Sequence, residues 1–166
     1  MRRDQTAHER LIPLLVEIVG SRSYLELGTH LNETISKVKC ERRYGVDINA
    51  VPCEGTEMFS MTTLEFIQTK AEWIAPFDFA FIDASHSLPD VRADFMGILP
   101  FVAPEGMIAL HDTQPQTVAD ATPGFCGDAW KFAYGVWITG MECLTLNYHP
   151  GLTLIRKRES WEGPVP

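Results

Sequence analysis

The chain has 166 residues, of which 45% are hydrophobic and 22% charged, a balance typical of a globular domain with a sizeable core. Its net charge is −8, which argues against a protein that binds a nucleic acid polymer through the phosphates. No apolar run approaches the length of a membrane span, and the four cysteines are too widely spaced to suggest a zinc site. We therefore expect one cytoplasmic domain over residues 1–166, with reduced thiols and without nucleic acid or membrane partners. Whether the chain forms oligomers stays open.

The spacing of apolar residues and of turn residues predicts helices that alternate with strands. The predicted helices lie at about residues 4–20, 32–39, 62–73, 88–102 and 128–138. The predicted strands lie at about residues 23–29, 42–48, 57–61, 77–83, 107–112, 141–148 and 152–157. This order predicts an α/β fold, a doubly wound, mostly parallel seven-stranded Rossmann-like sheet that ends in an antiparallel hairpin.

Three segments depart from this regular alternation. Residues 49–56 are too few for an ordinary parallel crossover, which normally takes about a dozen residues. Residues 113–127 are rich in Thr, Pro and Gly and follow the fifth strand, so we expect a mobile loop beside an acceptor site. Residues 160–166 form a polar tail for which the sequence predicts no regular structure.

The first strand ends in a glycine turn, and the second strand ends in an acidic residue. Gly28 allows close approach of the backbone to a ligand, and the N–H groups that follow can meet polar ligand atoms. Asp47 stands where nucleotide-binding sheets hold ribose hydroxyls with a carboxylate, although a turn-forming role is the plainer alternative. Together the two positions predict a nucleotide-like ligand at this edge of the sheet.

Four stretches resemble class I S-adenosylmethionine-dependent methyltransferases, in particular the macrocin and catechol O-methyltransferase-like branch. They are Leu25-Glu-Leu-Gly28, Gly45-Val-Asp47, Phe81-Ile-Asp-Ala-Ser-His86 and Pro104-Glu-Gly-Met-Ile-Ala-Leu-His-Asp112. The chain departs from the family pattern at Asn32, where a second glycine is usual, and at Glu105 in the Pro-Gly-Gly turn. The resemblance implies S-adenosylmethionine as cofactor. The cofactor-binding residues that it implies are Glu26, Gly28, Thr29, His30, Asp47, Ile48, Thr62, Thr63 and Asp83.

Two aspartates end strands that should be neighbours in the sheet. Asp83 and Asp112 could therefore share Mg²⁺ or another divalent cation, which resembles the metal site of this branch. The alternative is that each aspartate only caps the loop that follows it. His86 and His111 flank the same edge, so the predicted catalytic residues are His86, Asp83 and His111, with a histidine as general base. Because side chains alternate along a strand, His111 is also compatible with a structural role on the side opposite Asp112.

Three functions fit these patterns. The first is methyl transfer from S-adenosylmethionine to the hydroxyl of a small acceptor, with or without a divalent cation. The second is a non-catalytic nucleotide-binding or assembly module with the same fold. The third is a nicotinamide-dependent oxidoreductase, against which stands the missing G-x-G-x-x-G motif. Calorimetric titration with S-adenosylhomocysteine and with NAD would separate them.

Overall fold

The computed structural model of the chain describes residues 6–158. The predicted start of the first helix near residue 4 and the polar tail at 160–166 lie outside these residues. The helices are α1 (His8–Ile18), α2 (Thr63–Thr69), α3 (Ala71–Ile74), α4 (Leu88–Ile98) and α5 (Ala129–Ile138). The strands are β1 (Ser23–Leu27), β2 (Arg42–Asp47), β3 (Glu57–Ser60), β4 (Phe77–Ile82), β5 (Val102–His111), β6 (Cys143–Leu146) and β7 (Leu152–Arg156). Within this described part, no helix is long and apolar enough to cross a membrane.

All seven strands join one sheet in the order β3-β2-β1-β4-β5-β7-β6. Strands β1 to β5 pair in parallel, and β7 runs antiparallel to both β5 and β6. The predicted fold class is therefore confirmed, including its closing hairpin. Parallel pairing places the carboxyl ends of β1, β2, β4 and β5 at one edge, where a ligand site is expected in open α/β sheets.

Buried side chains cover both faces of the sheet, since α1 packs on one face and α2 to α5 lie on the other. Ile12 and Val16 of α1 meet Tyr24 and Phe79 on the first face. The second face carries a larger cluster that includes the aromatic side chains of Phe66, Phe77, Phe95 and Phe132. Because the central strands are covered on both sides, β4 is a nearly continuous apolar run and every residue of β1 is buried.

The helix predicted over 32–39 is wrong, because only a short 3₁₀ turn forms at Ile35–Lys37. Asn32 adopts a left-handed backbone conformation with φ of 66°, which an α-helix does not accommodate. Its side-chain Nδ2 donates to the carbonyl of Val51 at 3.0 Å and so ties the turn to the segment after β2. Residues 32–39 are therefore shaped by a contact with a distant part of the chain.

Two further elements differ from their predicted extents. The helix predicted over 62–73 begins as expected, with the Thr62 side chain accepting from the Glu65 N–H at 3.1 Å, but it breaks at Lys70 into α2 and α3. Strand β5 begins at Val102, five residues before its predicted start. There Glu105 has a left-handed φ of 61°, and its N–H donates to the carbonyl of Lys157 at 2.7 Å, which ties the Pro104–Gly106 segment to the end of β7. The short 49–56 connection contains no helix, yet β3 still pairs in parallel with β2.

Candidate active site

A cavity of about 540 Å³ opens at the carboxyl edge of the sheet, within the usual size range of small-molecule sites. Its lining is rich in ionisable side chains. Six carboxylates line it, from Glu9, Glu26, Glu33, Asp47, Asp83 and Asp112. All five histidines of the chain line it as well, namely His8, His30, His86, His111 and His149. The fold therefore gathers acid–base groups from separate parts of the sequence at one place.

Gly28 ends β1 where the turn after it passes close to the end of β4. Its φ is 89°, and a Cβ atom added there would lie 2.4 Å from the carbonyl oxygen of Asp83 and 2.5 Å from the Cα of Ala84. No side chain fits into that space. The glycine thus serves the contact between two strand ends, in addition to the open approach to a ligand that the sequence suggested.

Asp47 holds the glycine turn by hydrogen bonds from the backbone. Its Oδ2 accepts from the N–H of His30 at 2.9 Å, and its Oδ1 accepts from the N–H of Asn49 at 2.9 Å. The carboxylate also lines the cavity, where its free lone pairs can meet a ligand hydroxyl. Its contact with a ribose stays a prediction.

Glu26 is a buried carboxyl group inside β1 that reaches the cavity wall. It accepts a hydrogen bond of 2.5 Å from the hydroxyl of Tyr24. Burial raises the pKa of Glu26 well above its usual value, against the opposing effect of that hydrogen bond. The resulting group can offer a ligand either a protonated or an ionised oxygen.

The remaining residues expected at the cofactor divide into two groups. Thr29 is buried, His30 is exposed, and both line the cavity. Ile48, Thr62 and Thr63 do not line it: Ile48 is 66% exposed, Thr62 caps α2, and Thr63 hydrogen-bonds Asp94 through its side chain. Their predicted contacts with the cofactor therefore have no support from the shape of this cavity.

Two aspartates and two histidines form a connected cluster at the ends of β4 and β5. His111 Nδ1 lies 2.9 Å from Asp83 Oδ1 and 3.5 Å from Asp112 Oδ2. His86 Nε2 lies 2.9 Å from Asp112 Oδ2 and 4.0 Å from Asp83 Oδ1. The predicted proximity of Asp83, Asp112 and His86 is observed, while their catalytic roles stay predictions.

Of the two alternatives for His111, the one that places it on the side opposite Asp112 is wrong. Alternation along β5 would place neighbouring side chains on opposite faces, but Asp112 lies beyond the strand and has a left-handed φ of 59°. This turn of the backbone brings the Asp112 carboxylate back toward the His111 ring. Left-handed conformations are uncommon outside glycine and concentrate at functional sites.

The charges of the cluster stabilise one another. Burial opposes the charged form of His111, but the carboxylates of Asp83 and Asp112 outweigh it and raise the pKa of His111 to about 10. Burial likewise opposes ionisation of Asp112, yet hydrogen bonds from His111 and His86 lower the pKa of Asp112. The hydrogen bond to Asp112 raises the pKa of His86. The charged forms of His111 and Asp112 therefore stabilise each other.

His8 of α1 belongs to the same group, although no role was predicted for it. Its ring centroid lies 4.1 Å from that of His111, and its Nε2 lies 4.0 Å from Asp83 Oδ2. Burial and the neighbouring His111 lower the pKa of His8. A signal was present: His8, Ile12 and Val16 recur every fourth residue and so share the buried face of α1.

The segment 113–127 closes over this cluster. The carbonyl of Phe125 accepts a hydrogen bond from Nδ1 of His86. The N–H of Asp128 donates to the carbonyl of His86 at 2.9 Å, and Asp128 Oδ1 accepts from the N–H of Leu88 at 2.5 Å. Both ring nitrogens of His86 therefore face acceptors, one from the loop and one from Asp112.

The cluster can hold a divalent cation. Asp83, His86 and Asp112 each offer one ligand atom, and these three atoms lie within 4.8 Å of one another. Carboxylate oxygens suit Mg²⁺, Ca²⁺ and Mn²⁺, whereas an imidazole nitrogen adds affinity for later transition metals. The aspartates were expected here, and the geometry adds His86 as a third group.

A doubly wound seven-stranded sheet with this hairpin, glycine turn and acidic strand end defines the class I methyltransferase fold. The model of one family, described as a methyltransferase domain, matches residues 26–113, which is more than half of the chain. The chain belongs to this methyltransferase family, and the resemblance read from its motifs is confirmed. No curated protein sequence matches the chain.

Solved methyltransferase structures share the fold. The MycE methyltransferase of the mycinamycin pathway, in complex with Mg, SAH and mycinamycin VI, has a TM-score of 0.69 at 18% identity over 98% of this chain and 50% of that chain. An O-methyltransferase from Bacillus cereus in complex with SAH has a TM-score of 0.69 at 18% identity, over 93% of this chain and 85% of that chain. The O-methyltransferase TomG from Streptomyces achromogenes in complex with SAM has a TM-score of 0.66 at 17% identity, over 90% of this chain and 79% of that chain. The chain spans about half the length of the MycE chains.

Proposed function

We propose that the protein transfers a methyl group from S-adenosylmethionine to a hydroxyl group of a small acceptor. The observation that carries this proposal is one continuous cavity. It is lined by the Gly28 turn and Asp47 and also by the cluster of Asp83, His86 and Asp112. Its carboxylates complement the positive sulfonium of the cofactor, and similar folds contain SAH or SAM.

Several residues of the chain would hold the cofactor. The backbone after Gly28 faces its amino-acid end, and Asp47 accepts hydrogen bonds from its ribose hydroxyls. Glu26 also lines the cavity and would meet the charged amino group of the cofactor. When bound, S-adenosylmethionine supplies an electrophilic methyl group, so the protein needs to position the acceptor, exclude water and receive one proton.

His86 is the proton acceptor that we propose. Its side chain is 36% exposed, compared with 8% for His111, so an acceptor hydroxyl can reach it. In the structure Nδ1 of His86 is engaged by the Phe125 carbonyl, and an entering acceptor would take the place of that carbonyl. Asp112, bonded to Nε2, then orients the ring and stabilises the charge that His86 gains.

A divalent cation fits beside this base. Asp83 and Asp112 would hold it through carboxylate oxygens, with His86 within coordination distance of both. A bound cation would act as a Lewis acid on the acceptor hydroxyl. The two carboxylates already have histidine partners, so the site has positive charge nearby both with and without the ion.

Calorimetry with S-adenosylhomocysteine and with NAD tests the proposal directly. We expect S-adenosylhomocysteine to bind and NAD not to bind, with micromolar affinity giving a clear isotherm. A parallel titration with MgCl₂ and MnCl₂ tests the cation site independently of activity. If neither S-adenosylhomocysteine nor NAD binds, the assembly-module alternative is left. Binding of NAD alone would favour an oxidoreductase.

A further inference from the structure

A second cavity of about 560 Å³ lies beside the first one. The two cavities share three lining residues, Ala84, His86 and Gly124. They therefore adjoin at His86, the residue that we propose as the proton acceptor. The second cavity lies between the β4–α4 connection, the end of the 113–127 loop and the first turn of α5.

Most side chains that line this cavity are small, and the hydroxyl groups among them already have hydrogen-bond partners. Ala121, Pro123 and Gly127 contribute no polar side-chain atoms. The hydroxyls of Ser85 and Ser87 both donate to Asp90 Oδ2, at 2.8 Å and 2.6 Å. A ligand here thus meets few groups that could fix its orientation by hydrogen bonds.

Lys131 is the exception. Among the described residues that line either cavity, it is the single lysine or arginine. Its Nζ lies 3.3 Å from Asp128 Oδ2, and both side chains are partly exposed, so this ion pair is weak and can be exchanged. An anionic group on a ligand would be repelled by the carboxylates of the first cavity, whereas in the second cavity it would take the place of the Asp128 carboxylate beside Lys131.

Methyl transfer requires the acceptor and the leaving sulfur to lie on opposite sides of the methyl group. Two cavities that meet at His86 provide such an arrangement, with the cofactor in the first cavity and the acceptor in the second. The size of the second cavity is that of a small-molecule site.

We propose that the second cavity binds the acceptor, a small hydroxylated carboxylate, with its carboxylate at Lys131 and its hydroxyl at His86. This inference rests on the proposed methyltransferase function. The hydroxyl oxygen forms a bond to the methyl carbon while the carbon–sulfur bond breaks and its electron pair stays on sulfur. The hydroxyl proton passes to His86, so charge and atoms balance.

The first experiment compares two probes of nearly equal shape. Protein saturated with S-adenosylhomocysteine is titrated with 3-hydroxybenzoate and with 3-hydroxybenzamide by calorimetry. We expect the anionic 3-hydroxybenzoate to bind at least about tenfold more tightly than the neutral amide, because a hydrogen bond between two charged groups is stronger than one with a neutral partner. Lys131→Met should abolish the difference, whereas Lys70→Met, at an exposed lysine that follows α2 and lines neither cavity, should leave it intact.

The second experiment tests the location by placing a large side chain in the second cavity. Ala121 lines it, whereas Ala119, two residues earlier in the same loop, is exposed and does not. Ala121→Trp should abolish binding of the anionic probe and keep the affinity for S-adenosylhomocysteine, while Ala119→Trp should change neither.

The outcomes separate the two proposals. Failure of S-adenosylhomocysteine to bind the wild-type protein counts against the methyltransferase function itself. If it binds, then equal affinity for the two probes, no binding of either, or an unchanged preference in Lys131→Met overturns the acceptor assignment alone. Unchanged probe binding in Ala121→Trp overturns the location.

Discussion

Gly28 and Asp112 are the two residues at which a strand end turns out of the extended conformation beside the site. Gly28 has φ of 89° and Asp112 has φ of 59°. The first brings β1 against the end of β4, and the second returns a carboxylate toward the histidines. The geometry of the cavity thus depends on two backbone angles that ordinary strand residues do not adopt.

Gly28→Ala should destabilise the protein by about 2–5 kcal/mol. This is the cost of holding an alanine in the left-handed conformation plus the cost of the steric overlap between its Cβ atom and the end of β4. The control is Gly20→Ala, because Gly20 also has a positive φ, of 67°, but an added Cβ atom meets nothing within 4 Å. Gly20→Ala should therefore cost only about 1–2 kcal/mol. Urea unfolding measures both. Equal costs would show that the contact with Asp83 does not matter.

Asp47→Ala should weaken binding of S-adenosylhomocysteine by about 1–3 kcal/mol, the range for a lost hydrogen bond to a charged group. The change also removes the acceptor for the N–H groups of His30 and Asn49, so the turn becomes less ordered. Asp47→Asn, which retains one acceptor oxygen, should lose less. Calorimetry compares the three proteins, and an unaltered affinity in Asp47→Ala would remove Asp47 from the cofactor site.

At the scale of elements, the 113–127 loop should exchange its amide hydrogens faster than β4. Most of its backbone hydrogen bonds are short-range turns, such as Asp120 N–H to Thr117 O at 3.1 Å, whereas β4 is buried and paired on both edges. Hydrogen exchange with mass spectrometry measures this in the free protein. Protection in the loop equal to that of residues 77–82 would contradict the mobility expected from its composition.

Helix α4 carries a buried acid that should make stability depend on pH. Burial raises the pKa of Asp94 to about 6, against a hydrogen bond from Thr63 that opposes the rise. Because the folded pKa is above the unfolded value of 3.8, the folded state loses stability as pH rises from about 4 to 6. A difference of about two pH units corresponds to about 3 kcal/mol as an upper value.

Asp94→Asn should therefore stabilise the protein at pH 7.5 by up to about 3 kcal/mol and have little effect at pH 4. Asp90 on the same helix is a control of opposite sign, since hydrogen bonds from Ser87 and Ser85 lower the pKa of Asp90. Asp90→Asn should destabilise at neutral pH. Thermal unfolding across pH 4–8 tests both, and a pH-independent effect of Asp94→Asn would refute the assignment.

At the scale of the whole molecule, the net charge of −8 and the carboxylates of the cavity should favour a cationic ligand. S-adenosylmethionine carries one positive charge more than S-adenosylhomocysteine. We expect its relative affinity to fall roughly 3- to 10-fold between 0.01 M and 1 M NaCl, as the Debye length shrinks from about 30 to 3 Å.

Two variants locate the source of this effect. Glu33 lines the cavity and Glu72 lies on α3 away from it. Glu33→Gln should reduce the preference for S-adenosylmethionine at low salt, and Glu72→Gln should not. A ratio of the two affinities that is independent of salt would show that the field of the cavity plays no part.

The parts of the fold that follow from local pattern were predictable from the sequence. The apolar run of β4, the glycine after β1 and the acid at the end of β2 are each encoded within about seven residues. Parallel topology then places Asp83, Asp112 and His86 at one edge, because the carboxyl ends of adjacent parallel strands meet there. Family membership followed from the same stretches.

Contacts between distant segments were decided by the tertiary structure alone. The 3₁₀ turn at Ile35–Lys37 depends on a hydrogen bond from Asn32 to Val51, and Asp112 faces His111 because one backbone angle reverses. His8 reaches the cluster because α1 packs across β4 and β5, a distance that no spacing along the chain encodes. Periodicity specifies which face of an element is buried, but packing selects the partners that the face meets, and the site is made of those partners.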